Sequence, residues 1–291
     1  MTVRVKPPIA EPTRPNPPPP PGAVDCHAHV FAAEGRLPYA VRRPYTPAAG
    51  VDLAAYDRMH KAIGIARGVL VHSNVYGPDN RATLAALVGA GSRLRGICLL
   101  RPDASQGEIV RLAGAGMRGL RVNLEFPGEM TLGDVEAMAP RLASVEWHLQ
   151  LLAGAPKLAL LADRLAALPI DVVIDHMALM RPEYGFNEPG FLALRHLLGA
   201  GKVWVKLSAP NYADTGPPWN WAHKIARELI KARPDRMLWG TNWPHPQAEP
   251  IPDDGALVDW ITLAAGDEAT RRAILVDNPV RLYGFQTQPK A

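Results

Sequence analysis

The stretch Val24-Asp25-Cys26-His27-Ala28-His29-Val30-Phe31 introduces the pattern that decides the fold. Its short apolar run predicts a β-strand, and the amphipathic segment Asp52–Ile63 that follows predicts a helix. This alternation continues along the chain. The predicted strands are Ala23–Val30, Ala66–Ser73, Leu94–Leu100, Gly119–Leu124, Trp147–Leu152, Ile170–Met177, Lys202–Ser208 and Arg236–Trp243. The further predicted helices are Asn80–Gly89, Glu108–Gly114, Leu132–Leu142, Pro156–Leu168, Phe191–Leu198 and Trp219–Ala232.

Eight strands that alternate with helices predict an α/β fold with a parallel sheet. The count of eight, without a break in composition, favours a single closed (β/α)8 TIM barrel over an open doubly wound sheet. We expect this barrel to cover residues 23–291. No glycine-rich phosphate-binding motif follows the first strand, which argues against nucleotide binding.

Residues 1–22 form a predicted Pro-rich N-terminal arm that includes the run Pro17-Pro18-Pro19-Pro20-Pro21. Proline has no amide donor, so this segment should be extended rather than part of a sheet. Two interpretations are open: a ligand for an SH3-like partner, or an arm that wraps or caps the barrel. We favour the second, because a Pro-rich stretch is only a compositional signal.

The composition of the 291 residues is that of a soluble globular protein, with 47% hydrophobic residues and a formal charge of +4. The basic residues are scattered, which argues against binding to nucleic acid or to a membrane surface. Two cysteines, Cys26 and Cys98, exclude a disulfide scaffold and fit reduced, buried thiols. We expect a cytoplasmic protein, because neither a signal peptide nor a membrane span is apparent.

In a barrel of this kind, reacting groups gather at the carboxyl ends of the strands. His27 and His29 lie two residues apart at the end of the first predicted strand, so both should point to the same side. Two imidazoles on one face suit a metal ion or a clamp for developing negative charge. His176 at the end of the sixth strand adds a third imidazole.

Other strand ends also carry polar residues that a hydrophobic core would not favour. They are His72, Asn74 and Tyr76 after the second strand, Arg121, Asn123 and Glu125 on the fourth, Lys206 and Ser208 on the seventh, and Asn242 and His245 after the eighth. An inward Arg121 needs an anionic partner. Glu125 and Lys206 have a second interpretation as residues that pair with neighbouring charges.

Several of these motifs resemble the amidohydrolase superfamily, and within it the branch that contains 2-pyrone-4,6-dicarboxylate lactonase. The motifs are Asp25-Cys26-His27-Ala28-His29-Val30-Phe31, Met117-Arg118-Gly119-Leu120-Arg121, Ile174-Asp175-His176-Met177, Gly216-Pro217-Pro218-Trp219, Trp239-Gly240-Thr241-Asn242-Trp243-Pro244-His245-Pro246 and Asp277-Asn278-Pro279-Val280-Arg281-Leu282-Tyr283. They occur in the family's order and extend from about residue 24 to residue 283.

The resemblance implies a barrel that adds water to a cyclic ester or a related carbonyl. In most amidohydrolases His27, His29, His176 and residue 242 would help to bind one or two divalent metals. The pyrone dicarboxylate lactonase branch works without a metal: imidazoles and arginines polarise the lactone carbonyl, and an Asp at the end of the eighth strand activates water. We therefore expect either no cofactor or one divalent metal such as zinc.

Asn242 departs from the family, which has Asp at this position. An amide takes up no proton at neutral pH and is a poor metal ligand beside a carboxylate. Three explanations are open: an engineered substitution that stops turnover, a natural protein that uses another base, or a natural protein that has lost hydrolysis. Glu125 and His245 are the nearest replacement bases.

The arginines also depart from the family. Arg121 is in place and Arg181 lies near a family arginine, but Glu125-Phe126-Pro127-Gly128 and Asn211-Tyr212 stand where two others are expected. Fewer cations imply a substrate with fewer carboxylates than the pyrone dicarboxylate, because each buried anion needs a paired donor.

The preferred hypothesis is a hydrolase that opens the lactone of a small carboxylated compound. In it His27, His29 and His176 polarise the carbonyl or hold a metal, and residue 242 faces the attacking water. Arg121 and Tyr45 orient a substrate carboxylate, and Asn74, Arg181 and His245 make secondary contacts. The alternatives are a metal-dependent decarboxylase of an aromatic or unsaturated acid, and a catalytically silent barrel that binds a small acid. A homo-oligomer is left open.

Overall fold

Eight parallel strands pair in chain order from β1 to β8 in the computed structural model, which describes residues 3–126, 128, 130–214 and 216–286. The strands are β1 (Val24–Ala28), β2 (Arg67–Val71), β3 (Leu94–Cys98), β4 (Met117–Asn123), β5 (His148–Leu152), β6 (Val172–Ile174), β7 (Val203–Ser208) and β8 (Met237–Gly240). Every neighbouring pair from β1–β2 to β7–β8 is parallel. The strands are almost entirely buried, as expected for a sheet covered on both sides.

Helices follow the strands and form the outer layer. They are α1 (Leu53–Ile63), α2 (Arg81–Ala90), α3 (Gln106–Gly114), α4 (Leu132–Ala143), α5 (Ala155–Ala167), α6 (Pro189–Gly199), α7 (Asn220–Ala232), α8 (Asp254–Ala265), α9 (Glu268–Arg272) and α10 (Asn278–Tyr283). A π-helical turn, Ala273–Asp277, joins α9 to α10. The predicted (β/α)8 TIM barrel is confirmed. The helices from residue 254 onward were not among those predicted.

The barrel closes between its first and last strands. Beyond β8, the amide of Asn242 donates to the carbonyl of His27 (2.8 Å), and the amide of His29 donates to the carbonyl of Trp243 (2.7 Å). A Cβ on Gly240 would lie 2.6 Å from the backbone nitrogen of His27, so this strand can approach β1 only because residue 240 is glycine.

The buried carboxylate of Asp25 in β1 lies at this closure. Its oxygens accept hydrogen bonds from the amide and hydroxyl of Thr241, at 2.9 and 2.7 Å. The amide of His27 (3.1 Å) and the hydroxyl of Tyr56 in α1 (3.1 Å) donate to the same group, and His60 Nε2 lies 3.3 Å away. One carboxylate therefore links β1, α1 and the end of β8.

Several strands end earlier than predicted, and the difference matters for the site. β1 ends at Ala28, so His29 lies beyond the strand, and the rings of His27 and His29 are perpendicular. The two ring centroids are 5.1 Å apart, so the imidazoles are neighbours, and the expectation that both point to one side of a strand stays a prediction. β6 ends at Ile174, and residues 176–179 take positive φ angles in a tight turn.

Residues 13–18 of the N-terminal segment contact the C-terminal helices, whereas residues 3–5 pair with Thr46 before α1. Thr13 hydrogen-bonds to the carboxylate of Asp253, and the amide of Asn16 donates to Asp259 in α8. Arg271 in α9 donates to the carbonyls of Pro17 and Pro18. These contacts agree with an arm that wraps the barrel; the domain boundary at residue 22 stays a prediction. None of the helices that the structure describes is long and apolar enough to cross a membrane.

We expect Asp25→Ala to lower the free energy of unfolding by about 3 kcal/mol or more, because it leaves several buried donors without an acceptor. Urea denaturation measures this loss. Asp57→Ala is the matched control: Asp57 forms a half-exposed pair with Arg93 (2.7 Å), and its removal should cost about 1 kcal/mol or less. Equal losses in the two variants would contradict the role given to Asp25.

A second prediction concerns acid stability. Burial lowers the pKa of His72 to about 4 and that of His148 to about 3, whereas a histidine in the unfolded chain titrates near 6.5. As the pH falls from about 6.5 towards 3, the histidines of the unfolded chain bind protons that the same histidines do not bind in the folded barrel. The free energy of unfolding therefore falls. Urea titrations at pH 7, 5 and 4 should show this loss, and His148→Leu should make it smaller. An unchanged pH slope in His148→Leu would show that other groups carry the acid sensitivity.

Candidate active site

A cavity of about 410 Å³ opens among the carboxyl ends of the strands. Seven of the nine predicted site residues border it: His29, Tyr45, Asn74, Arg121, His176, Arg181 and Asn242. The other two, His27 and His245, are buried and are not part of its wall. The structure thus brings most of the predicted residues together and places two of them in a layer behind the cavity.

Four fully buried side chains lie in that layer, and we call them the inner cluster: His27, Gln150, Asp175 and Lys206. The ammonium of Lys206 lies 2.7 Å from Gln150 Oε1, 3.3 Å from His27 Nδ1 and 3.5 Å from Asp175 Oδ1. The amide nitrogen of Gln150 donates to Asp175 Oδ2 (3.0 Å). The sequence left two interpretations open for Lys206 and gave Asp175 no role. The two residues meet only because β7 lies beside the turn that follows β6.

Two basic side chains, Lys206 and Arg121, lie close to the single carboxyl group of the inner cluster, Asp175. Burial alone would raise the pKa of Asp175, but the polar and cationic groups around it, Lys206 among them, outweigh burial and hold the pKa well below its usual value. Asp175 is therefore a carboxylate. Burial lowers the pKa of Lys206, against the attraction of Asp175. The guanidinium of Arg121 adds a second cation, with Nε 4.0 Å from Asp175 Oδ2.

The three imidazoles are neutral near pH 7. Burial is the main cause: it places the pKa of His29 at about 3, that of His176 at about 4 and that of His27 well below its usual value. His29 Nδ1 lies 2.7 Å from the carbonyl oxygen of Val71, which can only accept. Nδ1 of His29 therefore carries the proton, and the nitrogen it can offer to a bound molecule is Nε2, as an acceptor. His176 Nδ1 contacts the hydroxyl of Ser208 (2.9 Å).

Four further residues frame the cavity. Arg121 is buried, and its Nη1 donates to the carbonyl of His72 and to Asn74 Oδ1, both at 3.2 Å. The hydroxyl of Tyr45 contacts that of Ser73 (3.0 Å). Arg181 differs, because its side chain is 61% exposed and its nearest carboxylate partner, Glu183, is 3.9 Å away. Arg121 is thus held rigidly, and Arg181 stands at the cavity mouth.

Asn242 borders the cavity in a left-handed conformation with φ of 64°. Asn tolerates this conformation better than most residues. Its Nδ2 is buried and has no hydrogen-bond partner among the residues that the structure describes. Tyr212 also borders the cavity and lies near Asn242; burial raises the pKa of Tyr212, and the Asn242 side chain partly offsets this. The sequence flagged Tyr212 only as the replacement of an expected arginine.

Neither predicted replacement base is poised in the cavity. His245 Nε2 pairs with the buried carboxylate of Asp254 at 3.0 Å, and the residue lies behind the wall, so the expected direct contact of His245 with substrate is not seen. Glu125 does border the cavity, but its carboxylate accepts from the amide of Gly154 (2.8 Å) and pairs with Lys157 (3.1 Å). Each would have to leave a partner before it could take a proton from water.

His27, Asp175 and His176 form a group with metal-binding potential, because each has a ligand atom within 4.8 Å of the others. This set differs from the predicted one, which had His29 in place of Asp175. The Lys206 ammonium lies within 3.5 Å of the imidazole of His27 and the carboxylate of Asp175. A divalent cation bound by these groups would meet a like charge, so the residues as arranged do not fit a metal ion.

Two relatives of known name match almost the whole chain. A 2-pyrone-4,6-dicarboxylate hydrolase of Comamonas testosteroni is 36% identical in an alignment of 290 positions that covers 94% of each chain. A 4-sulfomuconolactone hydrolase of Hydrogenophaga intermedia is 35% identical over 272 residues, covering 91% of this chain and 89% of the relative.

Among solved structures, a Pseudomonas putida protein whose name assigns it provisionally to the 2-pyrone-4,6-dicarboxylic acid hydrolases superposes with a TM-score of 0.82. It is 32% identical, and the match covers 92% of this chain and 99% of that one. Residues 24–285, nearly the whole barrel, match the amidohydrolase family. The chain therefore belongs to the amidohydrolase family.

Proposed function

We propose that this protein is a hydrolase that opens the lactone ring of a small carboxylated compound. One observation carries the proposal: the cavity wall and the inner cluster behind it combine neutral imidazoles with an excess of positive charge. Arg121 and Lys206 face the single inner-cluster carboxylate of Asp175. An anionic substrate would balance that excess, because a buried charge is stable only when it is paired.

The relatives support a lactone as the reacting group. The names of the Comamonas and Hydrogenophaga proteins describe hydrolases of a pyrone dicarboxylate and of a sulfomuconolactone. Both named substrates are cyclic esters that carry acidic groups. This chain has fewer arginines at the cavity than the family pattern predicts, so we propose a substrate with fewer acidic groups than the dicarboxylate.

The contacts suggest a division of roles. Arg121 and Tyr45 would orient the substrate carboxylate, with Asn74 beside them and Arg181 at the mouth. His176, which borders the cavity, would donate a hydrogen bond to the lactone carbonyl as charge develops on its oxygen, and His27 lies behind it. His29 Nε2, an acceptor in the neutral ring, would take a proton from the attacking water. Addition of the resulting hydroxide to the carbonyl carbon then breaks the bond to the ring oxygen, which takes the proton back from His29 and leaves a hydroxy acid.

The two alternatives fare differently. A metal-dependent decarboxylase requires a cation among groups that already contact Lys206, so the geometry disfavours it. A catalytically silent binding protein keeps the same cavity and charges, and is distinguished only by turnover. Ligand-induced thermal stabilisation without product would favour this binding protein over the hydrolase.

Asn242→Asp tests the water-activating position. The amide cannot accept a proton, whereas a carboxylate at the same place can, so we expect kcat/KM to rise by about 10²-fold. Hydrolysis of a panel of pyrone carboxylates and muconolactones, followed by the loss of lactone absorbance, measures this rise. The original chain should turn over slowly on the substrate that Asn242→Asp prefers.

Asn123→Asp is the matched control, because it adds the same charge to another part of the same cavity. It should not accelerate hydrolysis. If Asn242→Asp adds nothing to an already active chain, position 242 is not where water is activated, and His29→Gln and Glu125→Gln then identify the base. Absence of hydrolysis in both forms, across the panel, would overturn the proposed function.

Arg121→Met tests carboxylate recognition. The loss of a buried charge-assisted contact should raise KM by about 10²-fold. Arg181→Met, at the exposed mouth of the same cavity, should raise KM by less than about 10-fold, because solvent screens its charge. Steady-state kinetics on the best lactone of the panel measure both values. Equal effects in the two variants would contradict the proposed orientation of the substrate.

A further inference from the structure

We propose that Lys206 is the cation that pairs with Asp175 in this site, and that it fixes His27 as the tautomer with its proton on Nε2. In this tautomer Nε2 of His27, a potential metal ligand, is a hydrogen-bond donor. This inference concerns the inner cluster and does not depend on which lactone, if any, is the substrate.

The first step is charge. Asp175 and Lys206 are both fully buried, and their nearest charged atoms are 3.5 Å apart. An isolated carboxylate at this depth would be strongly unfavourable, so Asp175 requires a cation. Lys206 supplies it from β7, with Arg121 as a more distant second at 4.0 Å. The cation that Asp175 needs is therefore the ammonium group of Lys206, which lies where a metal ion would otherwise bind.

The second step is the direction of the hydrogen bond to His27. Nδ1 of His27 lies 3.3 Å both from the Lys206 ammonium and from Asp175 Oδ1, but only the contact with Lys206 has hydrogen-bond geometry. An ammonium group can only donate. Nδ1 must then be the acceptor, and the single proton of the neutral ring lies on Nε2.

The third step is what this tautomer offers. His27 Nε2 is buried and has no hydrogen-bond partner within the described ranges of the chain. An N–H at this point is a hydrogen-bond donor and has no lone pair for a metal ion. The ring of His27 lies 4.5 Å from that of His176, which borders the cavity. Lys206 itself is not in the cavity wall, so it is a positioning residue that acts through His27.

Lys206→Met tests the inference, because methionine keeps most of the side-chain length and removes the charge. In this variant Nδ1–H of His27 is free to donate to Asp175, which leaves the Nε2 lone pair as a metal ligand oriented by a carboxylate. We expect the purified variant, incubated with zinc and then dialysed, to retain one equivalent of zinc, whereas the original chain retains none.

The double variant Lys206→Met/Asp175→Asn is the control. It lacks the carboxylate that completes the triad of His27, Asp175 and His176, so the gained zinc should be lost again. Zinc retained by the original chain in one equivalent, and lost in Asp175→Asn, would overturn the proposal. A folded Lys206→Met that retains no zinc would overturn it as well. Circular dichroism establishes that each variant is folded.

Nitrogen-15 NMR of the histidine rings tests the tautomer directly in the unaltered chain and keeps the inference falsifiable if Lys206→Met does not fold. The His27 signals are assigned from their loss in His27→Gln. A proton on Nε2 is the expected result, and a proton on Nδ1 would contradict the role of Lys206. Because neither zinc content nor ring tautomer is a measure of turnover, the proposed lactonase can fail while this inference holds, and the reverse.

Discussion

The carboxylate of Asp25 is the constraint on which the active-site end of this barrel depends. It accepts hydrogen bonds from Thr241 after β8, from the amide of His27 in β1 and from Tyr56 in α1. Because the first and last strands are far apart in sequence, closing their junction costs the most chain entropy. A buried anion that accepts several hydrogen bonds stabilises this junction. The same bonds set the backbone of His27 and, through its carbonyl, that of Asn242.

Behind the cavity, burial and charge act together to set the chemistry. Burial keeps His27, His29 and His176 neutral, so they work through hydrogen bonds. Each ring then has one donor and one acceptor, and its fixed neighbour decides which nitrogen faces a ligand. The Val71 carbonyl makes His29 an acceptor towards the cavity, and the proposed donation from Lys206 makes His27 a donor. Residues of one type can in this way perform opposite tasks within one site.

Much of this arrangement could be predicted from particular residues. The alternation of short β-branched runs with amphipathic helices led to the barrel, and polar residues at strand ends led to seven residues that border one cavity. His245 was misplaced because its pairing with Asp254 depends on where α8 begins, and nothing in the motif shows that. His27 and His29 were expected on one face, and their rings are neighbours with centroids 5.1 Å apart. The sequence allowed Lys206 to pair with a neighbouring charge but did not identify Asp175 as the partner, because Lys206 lies on β7 and Asp175 in the turn after β6.

The sequence by itself determined the class of fold, the family, and the fact that histidines, an arginine and an amide meet at the carboxyl ends of the strands. These follow from local periodicity and from the rule that strand ends in such a barrel converge. The tertiary structure alone decided which imidazoles touch the cavity, which nitrogen of His29 is left for a ligand, and that the ammonium group of Lys206 lies beside the buried carboxylate of Asp175. Those outcomes depend on distances of a few ångströms between residues on separate strands, and no spacing along the chain encodes them.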